Sequence, residues 1–230
     1  MSSSFKVLVN RKKKWAISTG KKVKQMLISK GYIYDESSPD YTIVVGGDGT
    51  LYYYLPYLSG KVLLIGSGSS FRAQLARNNW KRRLMNYLNR KCVRLPVLKI
   101  SKGKKTVAYS INDVVFHTRD HRVVKIECKT QHRKLKIKGD GVIISTPFGS
   151  TAYSYSAGGK ALPISSKMLA ITPICPCFRN VRPFSERTSF VRILSPKNAD
   201  LIVDGRIIVR KAGGKFMITS SPSNICFISK

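Results

Sequence analysis

The segment Tyr41-Thr-Ile-Val-Val45 runs without a break into Gly46-Gly-Asp-Gly-Thr50. Five apolar or β-branched residues predict a buried strand. Glycines directly behind it let the backbone turn sharply and approach a ligand with no Cβ in the way. A second apolar run, Lys61-Val-Leu-Leu-Ile65, enters Gly66-Ser-Gly-Ser-Ser70 in the same manner. Phe5–Asn10 reads as a further strand. Trp15–Lys30 reads as a helix with Ile17, Val23, Met26 and Leu27 inward and Gly31 at its stop, and Trp80, Leu84, Tyr87 and Leu88 form another helical stripe. Strands alternating with helices imply a parallel sheet covered on both faces, with ligands at the carboxyl ends of its strands. The first 95 residues therefore read as a Rossmann-like α/β domain carrying a glycine-rich phosphate loop.

The pattern changes near Pro96. Short strands dominate from there: Val97–Ile100, Thr106–Ile111, Val123–Thr130, Leu135–Lys138, Gly141–Ser145, Phe190–Leu194, Leu201–Val203, Ile207–Val209 and Phe216–Thr219, punctuated by turns such as Gly139-Asp-Gly and Ala212-Gly-Gly. Residues 96–230 read as an all-β sandwich domain.

Composition narrows the partners. Forty-two Lys and Arg against eleven Asp and Glu give a formal charge of +31. Such a surface attracts polyanions, or it is a general habit of a basic proteome; both readings stay open. The shortage of acids makes each one informative, and Asp48, Asp113, Asp140 and Asp204 all sit beside Gly or Asn at strand ends. Five cysteines, Cys92, Cys128, Cys175, Cys177 and Cys226, are odd in number and irregular in spacing, so free thiols in a reducing cytoplasm are expected rather than a disulfide framework. Cys175-Pro-Cys177 is too tight for a zinc site, and no residue is assigned as a metal ligand. The start of the chain lacks the order of a signal peptide, and no apolar run approaches the ~20 residues that span a bilayer. A cytoplasmic protein without a membrane partner is expected.

Three motifs could carry chemistry. In Gly46–Thr50, Gly47 and Gly49 leave room for a phosphate, Thr50 can start a helix whose amides attract anions, and Asp48 could accept a proton or orient a hydroxyl. The plain alternative is a tight turn with Asp48 as a helix cap. Walker-type G-x-x-x-x-G-K-[ST] is absent. In Gly139-Asp-Gly through Gly159, a strand enters a stretch of small and hydroxyl residues, where Tyr153 could stack on a ring or bond to it. In Ile111-Asn-Asp-Val-Val-Phe116, Asn112 offers donors and acceptors beside the Asp113 carboxylate; taken alone, this is an ordinary strand edge.

Together and in this order, the three motifs resemble the NAD kinase family, which also carries the T-P-I-C-P found here as Thr172–Pro176, with Arg182-Pro183 following. The GGDGT loop is shared with lipid and phosphofructo-kinases; the segment around Thr151-Ala-Tyr153 is the specific part. The resemblance implies an α/β domain and a β-sandwich with the dinucleotide between them, Mg²⁺, a phosphate donor that is ATP or polyphosphate, and a homodimer or homotetramer. By motif, Asp48 matches the catalytic aspartate, with Gly47, Gly49 and Thr50 beside it. Asn112, Asp113, Lys138, Asp140, Thr151, Ala152, Tyr153 and Ser156 match dinucleotide contacts. Phe71 holds the aromatic place of a loop that lacks the family's Leu-Gly-Phe ending. Phe148 stands where a small hydroxyl residue is common, Cys177 where His is frequent, and Arg206 where Gln is frequent.

The implied reaction is transfer of a phosphoryl group to the 2′-hydroxyl of the adenosine ribose of NAD. That chemistry asks a protein mainly for positioning and charge stabilisation. Two rivals remain at this level. A lipid kinase could share the loop, but Asn112-Asp113 and Thr151–Tyr153 argue against it. A nucleic-acid binder on a degenerate kinase fold would suit the charge, but no basic-aromatic RNA motif is present, so nucleic acid is not an expected partner.

Overall fold

The computed structural model describes residues 2–229, which divide into two compact units: the chain up to Leu95 together with the segment from Ser223 onward, and Pro96–Pro222.

The first unit is built on a parallel sheet. Its elements are β1 (Ser4–Val9), α1 (Lys14–Ser29), β2 (Ile33–Tyr34), β3 (Tyr41–Val45), α2 (Asp48–Tyr53), β4 (Lys61–Gly66), β5 (Leu75–Ala76) and α3 (Trp80–Leu88). The strand order is β2-β1-β3-β4, every pair parallel, with β5 also paired on β4. All five residues of β3 are buried, as its unbroken apolar run requires. Ala16, Val23 and Leu27 of α1 and Trp80, Leu84 and Leu88 of α3 pack with Phe5, Ile43 and Ile65. Gly31, at φ 83°, ends the first helix in the left-handed conformation.

Coverage of both sheet faces is where the sequence reading fails. The connection from β2 to β3 is six residues, 35–40, with no helix. A parallel crossover usually carries a helix that roofs the strand it passes. Here none does, and an open cleft of about 840 Å³ runs along β1.

The second unit is an all-β sandwich. Its strands are β6 (Cys92–Lys102), which begins in the first unit, β7 (Lys105–Ser110), β8 (Asp113–Thr118), β9 (Val124–Lys129), β10 (Lys134–Gly139), β11 (Gly141–Ser145), β12 (Leu169–Ile174), β13 (Phe184–Glu186), β14 (Phe190–Ser195), β15 (Ala199–Val203), β16 (Arg206–Val209) and β17 (Gly214–Ile228). Between β11 and β12 lie a 3₁₀ turn at Gly149–Thr151 and α4 (Tyr153–Ser156). One sheet contains β10-β9-β14-β17 with β6 and β7; the other runs β13-β12-β11-β8-β15-β16. Val124, Ile126, Ile193 and Ile218 from the first meet Phe116, Ile144, Ile171 and Leu201 from the second in one core. Val115, Ile143 and Ile174, on the opposite face of the second sheet, pack with Ala157. That second layer explains why β8 and β11 read as continuous apolar runs rather than alternating ones.

β17 is longer than the sequence reading allowed. It leaves the sandwich and ends in the first unit, where Cys226 and Phe227 pair in parallel with Lys61 and Val62 of β4. The final segment thus belongs to the α/β unit, not to the sandwich in which residues 96–230 were placed.

The cysteines correct a second expectation. Cys92 and Cys226 form a disulfide across 134 residues of sequence. Spacing could not reveal it, because only the return of β17 to β4 brings Cys226 to the start of β6. Cys128 is buried and free; Cys175 and Cys177 are free and exposed. Among the described residues no helix is long and apolar enough to cross a membrane.

Candidate functional site

In the first unit the buried β3 delivers the chain to Gly46. A Cβ there would stand 2.3 Å from the Thr50 hydroxyl oxygen, so the turn closes only with glycine. Gly47 is the cap of α2, and Asp48 rather than Thr50 is its first residue. Thr50 is buried in that first turn, and its hydroxyl accepts a 2.9 Å hydrogen bond from the Asn10 amide. Asp48 is half-buried, and its two carboxylate oxygens accept the backbone N–H groups of Phe71 at 2.9 Å and Arg72 at 3.1 Å. These residues follow the second glycine-rich loop, so Asp48 ties the two loops together. The carboxylate keeps further lone pairs for a ligand hydroxyl. Arg72 is buried, and its guanidinium stands 5.1 Å from the centre of the exposed Phe71 ring. Behind the loop, buried Gln74 accepts the Leu64 N–H and donates to the Ile228 carbonyl, which fixes it to β4 and to the end of β17.

In the second unit the buried Asp204 organises the strand edge. It lies in the turn between β15 and β16 at φ 48°, a conformation Asp tolerates better than most residues. Its carboxylate accepts the Ser110 hydroxyl at 2.6 Å and the N–H groups of Ile111, Asn112 and Asp113 at 3.3, 3.0 and 3.2 Å. Burial pushes the Asp204 carboxyl above its ordinary range, and the hydrogen bonds oppose that rise. The cage sets Asn112 and Asp113, 6% and 3% exposed, with the Asn112 amide donating to the Asp113 carboxylate at 2.8 Å. Thr146 bonds back to this corner through Ile111 and Asn112. Gly149 then passes so close that a Cβ would lie 2.0 Å from the Asn112 carbonyl oxygen.

This close passage brings the 149–156 segment against the pair. α4 is anchored from below by a 2.8 Å bond between the Ser154 and Thr172 hydroxyls. Tyr153 stays partly exposed, and its hydroxyl is pushed above the ordinary range by burial first, then by Cys175, Asp113 and Asp140. Asp140 accepts the Cys175 thiol, which raises that thiol too. Asn112, Asp113, Asp140, Tyr153 and Cys175 thus share one neighbourhood. Lys138 is half-buried on β10, two residues before Asp140. Thr151 and Ser156 are exposed, Ala152 is partly so, and the Ser156 hydroxyl reaches only back to the Ala152 carbonyl, at 3.5 Å. Phe148 is buried in the turn before them.

A profile of the ATP-NAD kinase C-terminal domain matches residues 111–229. The NAD kinase of Fusobacterium nucleatum is 34% identical over 192 residues, 77% of this chain and 71% of that protein. The chain belongs to the NAD kinase family. The NAD kinase of Thermoplasma acidophilum is 29% identical over 227 residues, covering 94% of this chain and 84% of its own. Two solved structures share the NAD kinase fold. An NAD kinase from Archaeoglobus fulgidus in complex with ATP superposes with a TM-score of 0.79 at 19% identity, covering 100% of this chain and 94% of its own. Yeast NADH kinase complexed with NADH gives 0.75 at 22% identity, covering 86% and 67%. Within the NAD kinase frame, the residues that sequence reasoning left out of the site are Asp204, Cys175, Gln74 and Arg72. Asp204 had a signal, as an acid beside a glycine in an acid-poor chain; the other three had none apart from their motif neighbours.

Proposed function

We propose that the chain transfers a phosphoryl group from ATP to the 2′-hydroxyl of the adenosine ribose of NAD, with Asp48 as the group that takes the hydroxyl proton. The observation that carries this reading is the Asp48 carboxylate pinned by two backbone N–H groups at the junction of two glycine-rich loops. A carboxylate so held loses little freedom when it orients a hydroxyl. The 2′-oxygen attacks the terminal phosphorus, its proton passes to Asp48, and the bond from that phosphorus to the bridging oxygen breaks to leave ADP. The glycine-lined turn at Gly47–Gly49 leaves its backbone open to the transferring phosphate. Asn112, Asp113 and Tyr153 hold the dinucleotide: the first two by hydrogen bonds, the last by its ring.

Among the described residues no three His, Cys, Asp or Glu side chains gather to cage a cation. That donor set suits Mg²⁺ carried in on the phosphate oxygens, where it neutralises their charge. Asp48→Asn tests the assignment. Turnover should fall by about 10² or more, the usual worth of a general base, while NAD affinity measured by calorimetry stays within about tenfold. A variant that keeps wild-type kcat removes Asp48 from the mechanism.

A further inference from the structure

The cleft along β1 is not accounted for by the dinucleotide residues. Phe5, Val7 and Val9 turn toward α1, so Lys6 and Leu8 point to the opposite face, which no helix roofs. Tyr53, Tyr54 and Tyr57 form the cleft's other wall. The Tyr54 hydroxyl donates to the Val9 carbonyl at 3.0 Å, and its ring packs edge-on between those of Tyr53 and Tyr57, at 5.0 and 6.4 Å. Tyr54 is thereby fixed, and it holds up two rings that remain 61% and 63% exposed. Exposed tyrosine faces beside an open, cation-bearing cleft are a stacking platform without a partner in this unit.

The two ends of the cleft differ in charge. At one end Arg11 and Lys12 flank Gly49 and Thr50 of the phosphate loop. At the other end lie Lys6, Tyr34 and Glu36. Lys6 is only 8% exposed, and burial lowers its ammonium below the ordinary lysine range. Among the described residues its hydrogen bond is a long one, 3.5 Å to the Glu36 carbonyl, which leaves donor capacity facing the cleft. The Glu36 carboxylate accepts the Tyr34 hydroxyl at 2.9 Å and is unsuited to a phosphate. From Lys6 to Asn10 the strand rises about 13 Å, at ~3.3 Å per residue, about the length of an extended nucleoside triphosphate.

We infer that this cleft seats the phosphoryl donor and takes a nucleoside triphosphate rather than bare polyphosphate. The phosphates lie toward Arg11, Lys12 and Gly49, and the base rests on Tyr53 and Tyr57. The assignment builds on the phosphotransferase reading above and names the donor's chemical class. A chain of phosphates would find its cations at one end only, and would have no use for the rings or for Glu36.

Calorimetry tests this on the whole chain, with a non-hydrolysable ATP analogue and with inorganic tripolyphosphate, each with Mg²⁺. In Tyr53→Ala/Tyr57→Ala the analogue should bind at least tenfold more weakly, tripolyphosphate within twofold of wild type, and NAD unchanged. Tyr53→Phe/Tyr57→Phe keeps the rings and should keep the affinity, which guards against misfolding of the alanine form. Arg11→Ala/Lys12→Ala should weaken both polyanions together. Analogue affinity within twofold of wild type in the alanine variant overturns the proposal, as does equal loss of both ligands. A change in solution mass in that variant also overturns it, since the face would then belong to a second copy. If the wild type fails to phosphorylate NAD while tyrosine-dependent nucleotide binding persists, the catalytic reading falls and the cleft assignment stands.

Discussion

Asp204→Ala should damage both stability and NAD binding, although Asp204 is not among the residues matched to ligand contacts. The wild-type carboxylate accepts four donors, three of them within 3.2 Å. Alanine leaves the Ser110 hydroxyl and the N–H groups of Asn112 and Asp113 buried without that acceptor, at about 1–3 kcal/mol each. Against this stands the relief of no longer burying a carboxylate, whose cost shows in the upward push on Asp204. The orphaned donors win, because removing one side of a buried polar set leaves the other side uncompensated. Alanine must also adopt φ 48°, which costs a further ~1 kcal/mol. The net loss should be about 3–5 kcal/mol, read by urea unfolding. Asp204→Asn keeps one oxygen for the three close donors and misplaces only the 3.3 Å bond from Ile111, so it should lose about 1–2 kcal/mol.

The pH dependence separates the terms. A carboxyl raised in the folded state contributes stability that is fully present below its unfolded pKa and is lost as pH rises through the folded value. Wild type should therefore lose ground relative to Asp204→Asn as pH climbs from the model value of 3.8 through the raised one. Asp204→Ala within 1 kcal/mol of wild type, with unchanged NAD affinity, would refute the view that this cage positions Asn112 and Asp113.

Two further outcomes are expected. Asp113→Ala and Tyr153→Ala should each weaken NAD binding in calorimetry, and wild-type binding should not titrate with Tyr153 below pH 10, since its hydroxyl is raised from 10.0; unchanged affinity in both variants would place the pocket elsewhere. Cys92→Ser with Cys226→Ser should cost about 2–4 kcal/mol in chemical unfolding, because the bond closes a loop of 134 residues. Loss of the reductant effect on unfolding should accompany it, and a difference under 0.5 kcal/mol on the same scale as surface substitutions would deny the bond a structural role.

Local signals carried much of this architecture. The β3 run and its glycines were legible because a strand buried on both faces must be continuously apolar, and a turn with Thr50 packed against Gly46 must lack a Cβ. The helix at Trp80–Leu88 was legible from its four inward residues. What escaped depends on contacts distant in sequence. β8 was hidden inside a motif, and β12 and β13 inside an irregular stretch, because their pairing with β11 is set by tertiary register rather than by alternation. The disulfide and the last turn of β17 escaped for one reason: nothing local to Cys226 says that the strand leaves the sandwich. The open face of β1 was missed because the rule that parallel sheets are roofed twice assumes a crossover long enough for a helix, and residues 35–40 are not.

The acids explain how so basic a chain remains specific. Every one of the eleven has a partner. Asp48 and Asp204 accept backbone N–H groups, and Asp35 and Asp40 do the same. Asp113, Asp120 and Asp140 accept Asn112, Thr118 and Cys175. Glu36 accepts Tyr34. Asp200, Glu127 and Glu186 pair with arginine or lysine. Three acids thus meet cations directly, while forty-two Lys and Arg share the surface. The carboxylates spent on loop and strand-edge geometry are not available to screen that field. The unscreened charge draws phosphate-bearing ligands toward the protein at long range. It weakens with salt over a Debye length of about 8 Å at physiological ionic strength. Selection among those ligands then falls to the short-range groups: the rings of Tyr53 and Tyr57, the pinned Asp48, and the caged Asn112 and Asp113.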